Sequence, residues 1–222
     1  MKKIFIDFEM NPVAVSYERE REICCYEIIE IGAVMLDEDN ERISDFKSYI
    51  KPQYNDEIES RITNLTGITT DMVFSAEDFM SALMDFVKWC GDISDIEAIY
   101  AWSDNDYRQL VNELKLKKIK ADPGINGLLE RWCDFQKIFS DKVGLDRPMK
   151  LKNAIEAVGR TFIGKAHDAL TDAINTADLF VASNDDAETK KMIDLLNKTR
   201  KPADSLKTAL GDMFDFGSIN FE

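Results

Sequence analysis

The sequence predicts an α/β fold with a mixed sheet. Three observations carry that expectation: three strand-like segments joined by short turns open the chain, the apolar period then changes from two to about 3.6, and strand-like and helix-like segments alternate afterwards. In residues 3–9, KIFIDFE, Ile4, Ile6 and Phe8 point one way and Phe5, Asp7 and Glu9 the other, as in a strand. Residues 27–37, EIIEIGAVMLD, read as a second strand closed by a turn at 37–40, and residues 42–51, RISDFKSYIK, as a third ended by Pro52. Short connections make these three an antiparallel meander. Residues 56–65 predict a short helix on Ile58, Ile62 and Leu65. Ser75 is the expected cap of a longer helix through Cys90, with Phe79, Leu83, Phe86, Val87 and Cys90 on one face and Gly91 as its stop. EAIYAW, 97–102, gives a fourth strand, followed by a helix that starts at Asp104 or Asn105 and packs through Leu110, Val111 and Leu114. A fifth strand is expected near 131–139. Leu151, Ala154, Ile155 and Val158 share one helical face that ends at Gly159, and a helical pattern follows His167. Residues 190–198 predict one more helix before Lys201-Pro202. The division expected is a domain over 1–184 and a C-terminal helix with an apolar tail over 185–222, the tail docking on its own domain or on a partner.

The chain has 222 residues, 45% hydrophobic and 32% charged, which suits a globular domain rather than a disordered one. No apolar run approaches the roughly 20 residues that span a bilayer. The opening MKKIFIDFEM carries two carboxylates by residue 9 and does not read as a signal peptide, so a cytoplasmic protein with no membrane partner is expected. Four cysteines (Cys24, Cys25, Cys90, Cys133) lack CxxC spacing and meet a single histidine, which argues against structural zinc and for reduced, mostly buried thiols. The net charge of −14 argues against coating long nucleic acids by counterion release. It leaves open an enzyme that grips a few nucleotides in one pocket, and a site that gathers carboxylates around cations.

Three acidic stretches bear on such a site. Asp7 and Glu9 share a strand face with Cα atoms roughly 6.6 Å apart. Two acids that close repel and are costly to bury without a positive charge between them; with all-oxygen ligands that charge is magnesium or manganese rather than zinc. The plainer reading is a solvated strand end. In YAWSDNDYRQL, Asp104 and Asp106 follow an apolar strand and open a helix, where aspartates also serve as ordinary caps. In GKAHDALTDAINTADLF, Asp168, Thr171, Asn175 and Asp178 form the polar face, and Asp172 falls at the edge of the apolar arc. A charge there needs a metal or a partner such as Lys152 or Lys165. His167 lies before the helix in a loop opened by Gly164; a lone histidine is more often an ordinary surface or core residue than a catalyst.

Taken together and in order, these motifs resemble the DEDDh 3′→5′ exonucleases of the DnaQ-like superfamily. The resemblance covers roughly residues 1–183: FIDFE as first motif, EIIEIGAVMLD as second strand, RITNLTGITTDMV as the usual I-x-x-L-T-G-I segment, YAWSDND as middle motif and LKNAIEAVGRTFIGKAHDALTDAINTA as the last. The DFE form and the Leu-Lys-x-Ala-x-Glu lead-in look most like the ERI-1-like and KapD-like subgroup. The resemblance implies a ribonuclease H-like fold, a mixed five-stranded sheet flanked by helices. It implies that Asp7, Glu9, Asp106 and Asp172 hold two ions, Mg2+ or Mn2+, and that His167 is the general base. Asp104 stays in reserve for the middle acid, because Ser103 replaces the glycine of the usual Trp-Gly-x-x-Asp. The implied reaction removes nucleoside 5′-monophosphates from the 3′ end of single-stranded RNA or DNA, leaning toward RNA.

Phe8, Met10, Ile62, Leu65 and Thr66 are candidates to hold the terminal nucleotide, with main-chain groups of Glu9 and Met10 at the sugar; Phe8 reads more readily as core, because it shares a face with Ile4 and Ile6. Lys115, Lys117, Lys118 and Lys120, or Arg147, Lys150 and Lys152, could hold upstream phosphates or simply face solvent. Glu30 reads as a supporting group or a paired strand acid. Two alternatives stand beside the exonuclease: a noncatalytic RNA-binding or regulatory module of the same fold, and a phosphohydrolase of short oligonucleotides or nucleotides.

Overall fold

The computed structural model describes residues 1–200, with side chains through 198. In chain order the elements are β1 (Lys2–Pro12), α1 (Glu18–Ile23), β2 (Tyr26–Leu36), β3 (Arg42–Tyr49), α2 (Ser60–Thr66), α3 (Thr70–Phe74), α4 (Phe79–Cys90), β4 (Ile96–Ala101), α5 (Asn105–Leu116), α6 (Pro123–Glu130), β5 (Trp132–Asp134), α7 (Phe135–Val143), α8 (Leu151–Ala157), α9 (Ala169–Ser183) and α10 (Asp186–Arg200). The sheet order is β3-β2-β1-β4-β5. The first three strands pair antiparallel as the short turns require, while β4 and β5 join parallel after helical crossovers.

The alternation along β1 becomes two cores. Ile4, Ile6 and Phe8 pack with Ile31, Phe79, Leu83, Phe86, Leu110 and Leu128, under α4, α5 and α6. Phe5 faces the other way into a core with Phe135, Phe139, Ile155, Ala173, Ala177 and Phe180, under α7, α8 and α9. Met192 and Leu196 of α10 are buried in that same second core. The tail from 201 onward lies outside the described residues.

The elements that depart from the sequence reading do so for local reasons. α1 has no buried residue, so no apolar period announces it. α4 starts at Phe79 rather than after Ser75, because the Asp78 carboxylate takes the N–H of Ser81, and Thr70–Phe74 forms its own short helix before it. The fifth strand covers only Trp132–Asp134; Asp134 then caps α7, whose Phe135, Phe139 and Val143 recur every four residues. α6, unforeseen in the sequence, has an Asp122 cap and Pro123 in its first turn. All four cysteines are free; Cys24 and Cys90 are buried, Cys133 is half-buried, and Cys25 is exposed beside the start of β2. Among the described residues no helix is long and apolar enough to cross a membrane.

Candidate active site

Asp7 and Glu9 leave β1 toward the face covered by α9. Asp7 lies opposite Gly32 in the β1–β2 ladder and Glu9 opposite Glu30. Directly after Glu9 the register slips at a bulge, a feature that re-aims side chains at strand ends. Gly32 has no side chain to hold the helix off: a Cβ there would sit 2.0 Å from Leu170 N and 2.2 Å from Ala169 C. The first turn of α9 therefore rests directly on the β2 backbone, beside Asp7. That contact brings Asp172, in the same turn, over the two strand acids.

Asp168 caps α9, its Oδ1 accepting the Thr171 N–H at 3.0 Å, and its carbonyl accepts the Asp172 N–H at 2.9 Å. Asp172 Oδ2 in turn accepts the main-chain N–H of His167 at 3.1 Å. His167 sits at φ 65°, a left-handed conformation uncommon for a residue with a side chain, and that hydrogen bond helps hold it. Ligand atoms of Glu9, His167 and Asp172 all lie within 4.8 Å of one another.

The fourth acid arrives from α5. Asp106 is 6% exposed, and its Oδ1 accepts the Phe8 N–H at 3.3 Å, next to Asp7 and Glu9 in sequence. Asp104 turns outward and pairs with Arg108 at 2.5 Å. Asp106 lines the cleft and Asp104 does not.

The four carboxylates perturb one another. Burial pushes Glu9 up to about 8, with Asp172, Glu30 and Asp106 adding to it. Asp7 is raised well above the usual carboxylate range by burial, then by Asp106, Asp172, Glu9 and Glu30. Asp106 rises to about 7 and Asp172 to about 6, burial again leading, partly offset by the N–H groups of Phe8 and His167. Among the described residues no lysine or arginine pairs with any of the four, and Asp172 Oδ1 is buried without a hydrogen-bond partner. Neither Lys152 nor Lys165 serves Asp172; the nearest acid to Lys152 is Glu156 at 3.9 Å. A cage of hard oxygen donors with surplus negative charge and an orphaned buried oxygen fits divalent cations.

A positive charge does stand one layer back. Lys47 on β3 puts its ammonium 2.7 Å from Glu30 and 2.5 Å from the Asp168 cap. Burial pulls that ammonium's pKa down, but Asp168 and Glu30 outweigh it and the net shift is upward. Glu30, 1% exposed, is thus a paired acid adjoining Glu9, and the pair ties the start of α9 to the sheet.

The cleft encloses about 670 Å³. Phe8 and Met10 line it, as do Asn105 of the middle motif and Tyr26, Gln109 and Asn112, which carry no motif in the sequence. Phe8 is also core, 5% exposed and 6.2 Å from the Trp132 ring. Ile62, Leu65 and Thr66 do not line the cleft. Ile62 faces a small core with Ile29, Ile58, Ile68 and Val73; Thr66 spends its hydroxyl on Ile62 O and Ile68 N–H; Leu65 is 46% exposed on the outer side of α2.

Acids from a central strand and two helices, gathered over a sheet of this order, define a ribonuclease H-like nuclease fold. The chain belongs to the Exonuclease family (RNase_T), whose family model matches residues 4–180. It is similar to zebrafish (Danio rerio) ERI1 exoribonuclease 2, 30% identical over 197 residues covering 78% of this chain and 33% of that protein. It is similar to human 3′-5′ exoribonuclease 1, 27% identical over 164 residues covering 70% of this chain and 46% of that one. The chain thus spans between a third and a half of these relatives' lengths. Among solved structures, the nuclease domain of 3′hExo, a DEDDh family member bound to rAMP, superposes with a TM-score of 0.69 at 24% identity, covering 81% of this chain and 90% of that one. Cell-death related nuclease 4 gives 0.66 at 22% identity, covering 81% and 62%. Both superpositions match the α/β fold of this chain, a mixed five-stranded sheet flanked by helices.

Proposed function

We propose that the protein is a metal-dependent 3′→5′ exonuclease that shortens single-stranded nucleic acid, RNA in preference to DNA, to nucleoside 5′-monophosphates. The observation that carries this reading is the convergence of Asp7, Glu9, Asp106 and Asp172 beside His167 with no lysine or arginine paired to the four acids among the described residues. Asp7, Glu9, Asp106 and Asp172 would hold two ions, Mg2+ or Mn2+. When bound, such ions neutralise charge on the phosphate and lower the pKa of water. That also explains how a chain of charge −14 admits a polyanion. The relatives named exoribonucleases support the RNA preference.

The chain's own groups do the rest. His167 is the base that takes the proton of the attacking water. Burial lowers its pKa, and Lys150 and Lys165 lower it further, which favours the neutral imidazole that can accept a proton. The Asp172 carboxylate holds the histidine main chain and so fixes where the ring starts. Phe8, Met10 and Tyr26 give the terminal base an apolar wall that discriminates little between bases. End-labelled ribo- and deoxyoligonucleotides incubated with Mg2+ or Mn2+ test the reading. The expected result is a ladder shortening from the 3′ end, faster on RNA. Binding without products would instead support a noncatalytic module, and turnover of mononucleotides alone would support a small-substrate phosphohydrolase.

A further inference from the structure

The two walls of the cleft differ in what their charges are free to do. On the α5 wall Arg108 is paired with Asp104, and the Gln109 amide is spent on Tyr26 O and Glu113. On the α8 wall stand Lys150 and Lys152, both exposed. Lys150 has no carboxylate partner among the described residues. Lys152 meets only Glu156 at 3.9 Å with both side chains 55% exposed, a contact solvent screens to little. The segment that carries them is anchored: the Met149 carbonyl accepts the Trp102 indole N–H at 3.0 Å and the Gln136 amide at 2.6 Å. Trp102, Leu151 and Phe162 line the same cleft as the two lysines. The other basic run of the sequence is not equivalent. Its Lys117 is 5% exposed and consumed by Glu27 and Glu113, at 2.9 and 3.1 Å.

We propose that this α8 wall is a second nucleotide subsite, taking the nucleotide upstream of the scissile bond, with its phosphates on Lys150 and Lys152 and its base against Leu151, Phe162 and Trp102. It rests on the exonuclease reading of the neighbouring carboxylates and adds the class of ligand: a short, unpaired strand gripped at about two phosphates. An acidic protein then needs no long basic track, because its hold ends where the lysines end.

The test is fluorescence anisotropy of a labelled single-stranded hexaribonucleotide in Ca2+, from 50 to 200 mM salt. Three variants are compared with the wild type: Lys150→Gln/Lys152→Gln, Lys150→Arg/Lys152→Arg and, as a control off the cleft, Lys115→Gln/Lys118→Gln. A single strand loses roughly 0.7 of salt slope for each phosphate contact removed, so the glutamine pair flattens log K against log salt by about 1.4, and its deficit against the wild type grows about sevenfold between 200 and 50 mM salt. The arginine pair keeps the wild-type slope, and so does the control. A glutamine pair with the wild-type slope overturns the subsite, and so does a control that flattens it equally. Hexanucleotide that binds with this pattern in Ca2+ but is not cut when Mg2+ or Mn2+ replaces it overturns the exonuclease reading and leaves the subsite standing; hexanucleotide that is cut in Mg2+ or Mn2+ but shows an unchanged slope in Ca2+ does the reverse.

Discussion

Gly32→Ala tests the contact on which the whole site hangs. The added methyl would sit 2.0 Å from Leu170 N and 2.6 Å from Leu170 Cα. Neither partner is a side chain that can rotate away; both are backbone atoms of the first turn of α9. Relieving the clash to ordinary van der Waals separation moves that turn off β2 by roughly 1.4–2 Å, at an overpacking cost of roughly 1–3 kcal/mol. In a domain of this size that lowers Tm by roughly 2–10 °C. The same shift carries Asp172 away from Asp7 and Glu9, and a misplacement of about 1 Å at a reacting centre costs on the order of 10²-fold in rate. Single-turnover digestion of a labelled oligonucleotide, run well below the melting temperature, reads the rate; a thermal melt reads the fold. Leu83→Ala, in the core under α4 on the far side of the sheet, serves as comparison. It destabilises by about 2–5 kcal/mol without touching α9 and keeps the wild-type rate. If Gly32→Ala cuts at the wild-type rate, or loses no more rate than Leu83→Ala, α9 does not depend on Gly32 and the account of how Asp172 is placed is wrong.

Three further outcomes follow from the same geometry. Asp106→Asn removes an acid from the cage and drops kcat by about 10²-fold or more, whereas Asp104→Asn breaks only an exposed pair with Arg108 and changes kcat less than about twofold; equal losses in digestion assays would return Asp104 to the site. The cage carboxyls titrate higher folded than free, so the ion-free fold binds more protons than the unfolded chain. Their favourable contribution is complete below about pH 4 and is lost as pH rises through about 6 to 8, the values of Asp172, Asp106 and Glu9. Melts in EDTA therefore fall by several degrees between pH 5 and 8.5, and Mn2+ restores more at pH 8 than at pH 6; an EDTA melting curve flat in pH refutes the crowding of charge. Lys47→Met strands the buried Glu30 and loosens the Asp168 cap, costing about 2–3 kcal/mol, less than a fully buried pair because Lys47 is partly solvated. Lys47→Arg restores most of that in chemical denaturation, and a Lys47→Met protein as stable as the wild type would remove the pair from the design of the site.

What could be read in the sequence depended on how far apart the interacting residues lie. The placement of Asp7 and Glu9 on the face opposite Ile4 and Ile6 follows from a period of two within one strand, and the structure keeps it. The position of Asp172 at the edge of an apolar arc follows from a period of 3.6 within one helix. The resemblance favours Asp106 over Asp104 although both follow the same strand, and the fold adds that Asp106 reaches the Phe8 N–H while Asp104 pairs with Arg108. The fifth strand and α7 blur for a related reason: Asp134 ends one and caps the other, and three residues are too few to display a period.

The larger misses are contacts between distant segments. Lys47 reads as one more polar residue of an outer strand until the β2–β3 register sets it opposite Gly32 and α9 brings Asp168 to its ammonium. Ile62 and Thr66 read as a binding edge, yet α2 turns both into the core under Ile29 and leaves only Leu65 outside. Gly32 did carry a signal, since a glycine inside an otherwise continuous apolar strand marks either a bulge or the close approach of another backbone. Nothing in residues 27–37 says which backbone. The sheet supplies the answer: the one residue of β2 opposite Asp7 must be bare, because the acid that completes the cage arrives on a helix whose first turn occupies the space a side chain would fill.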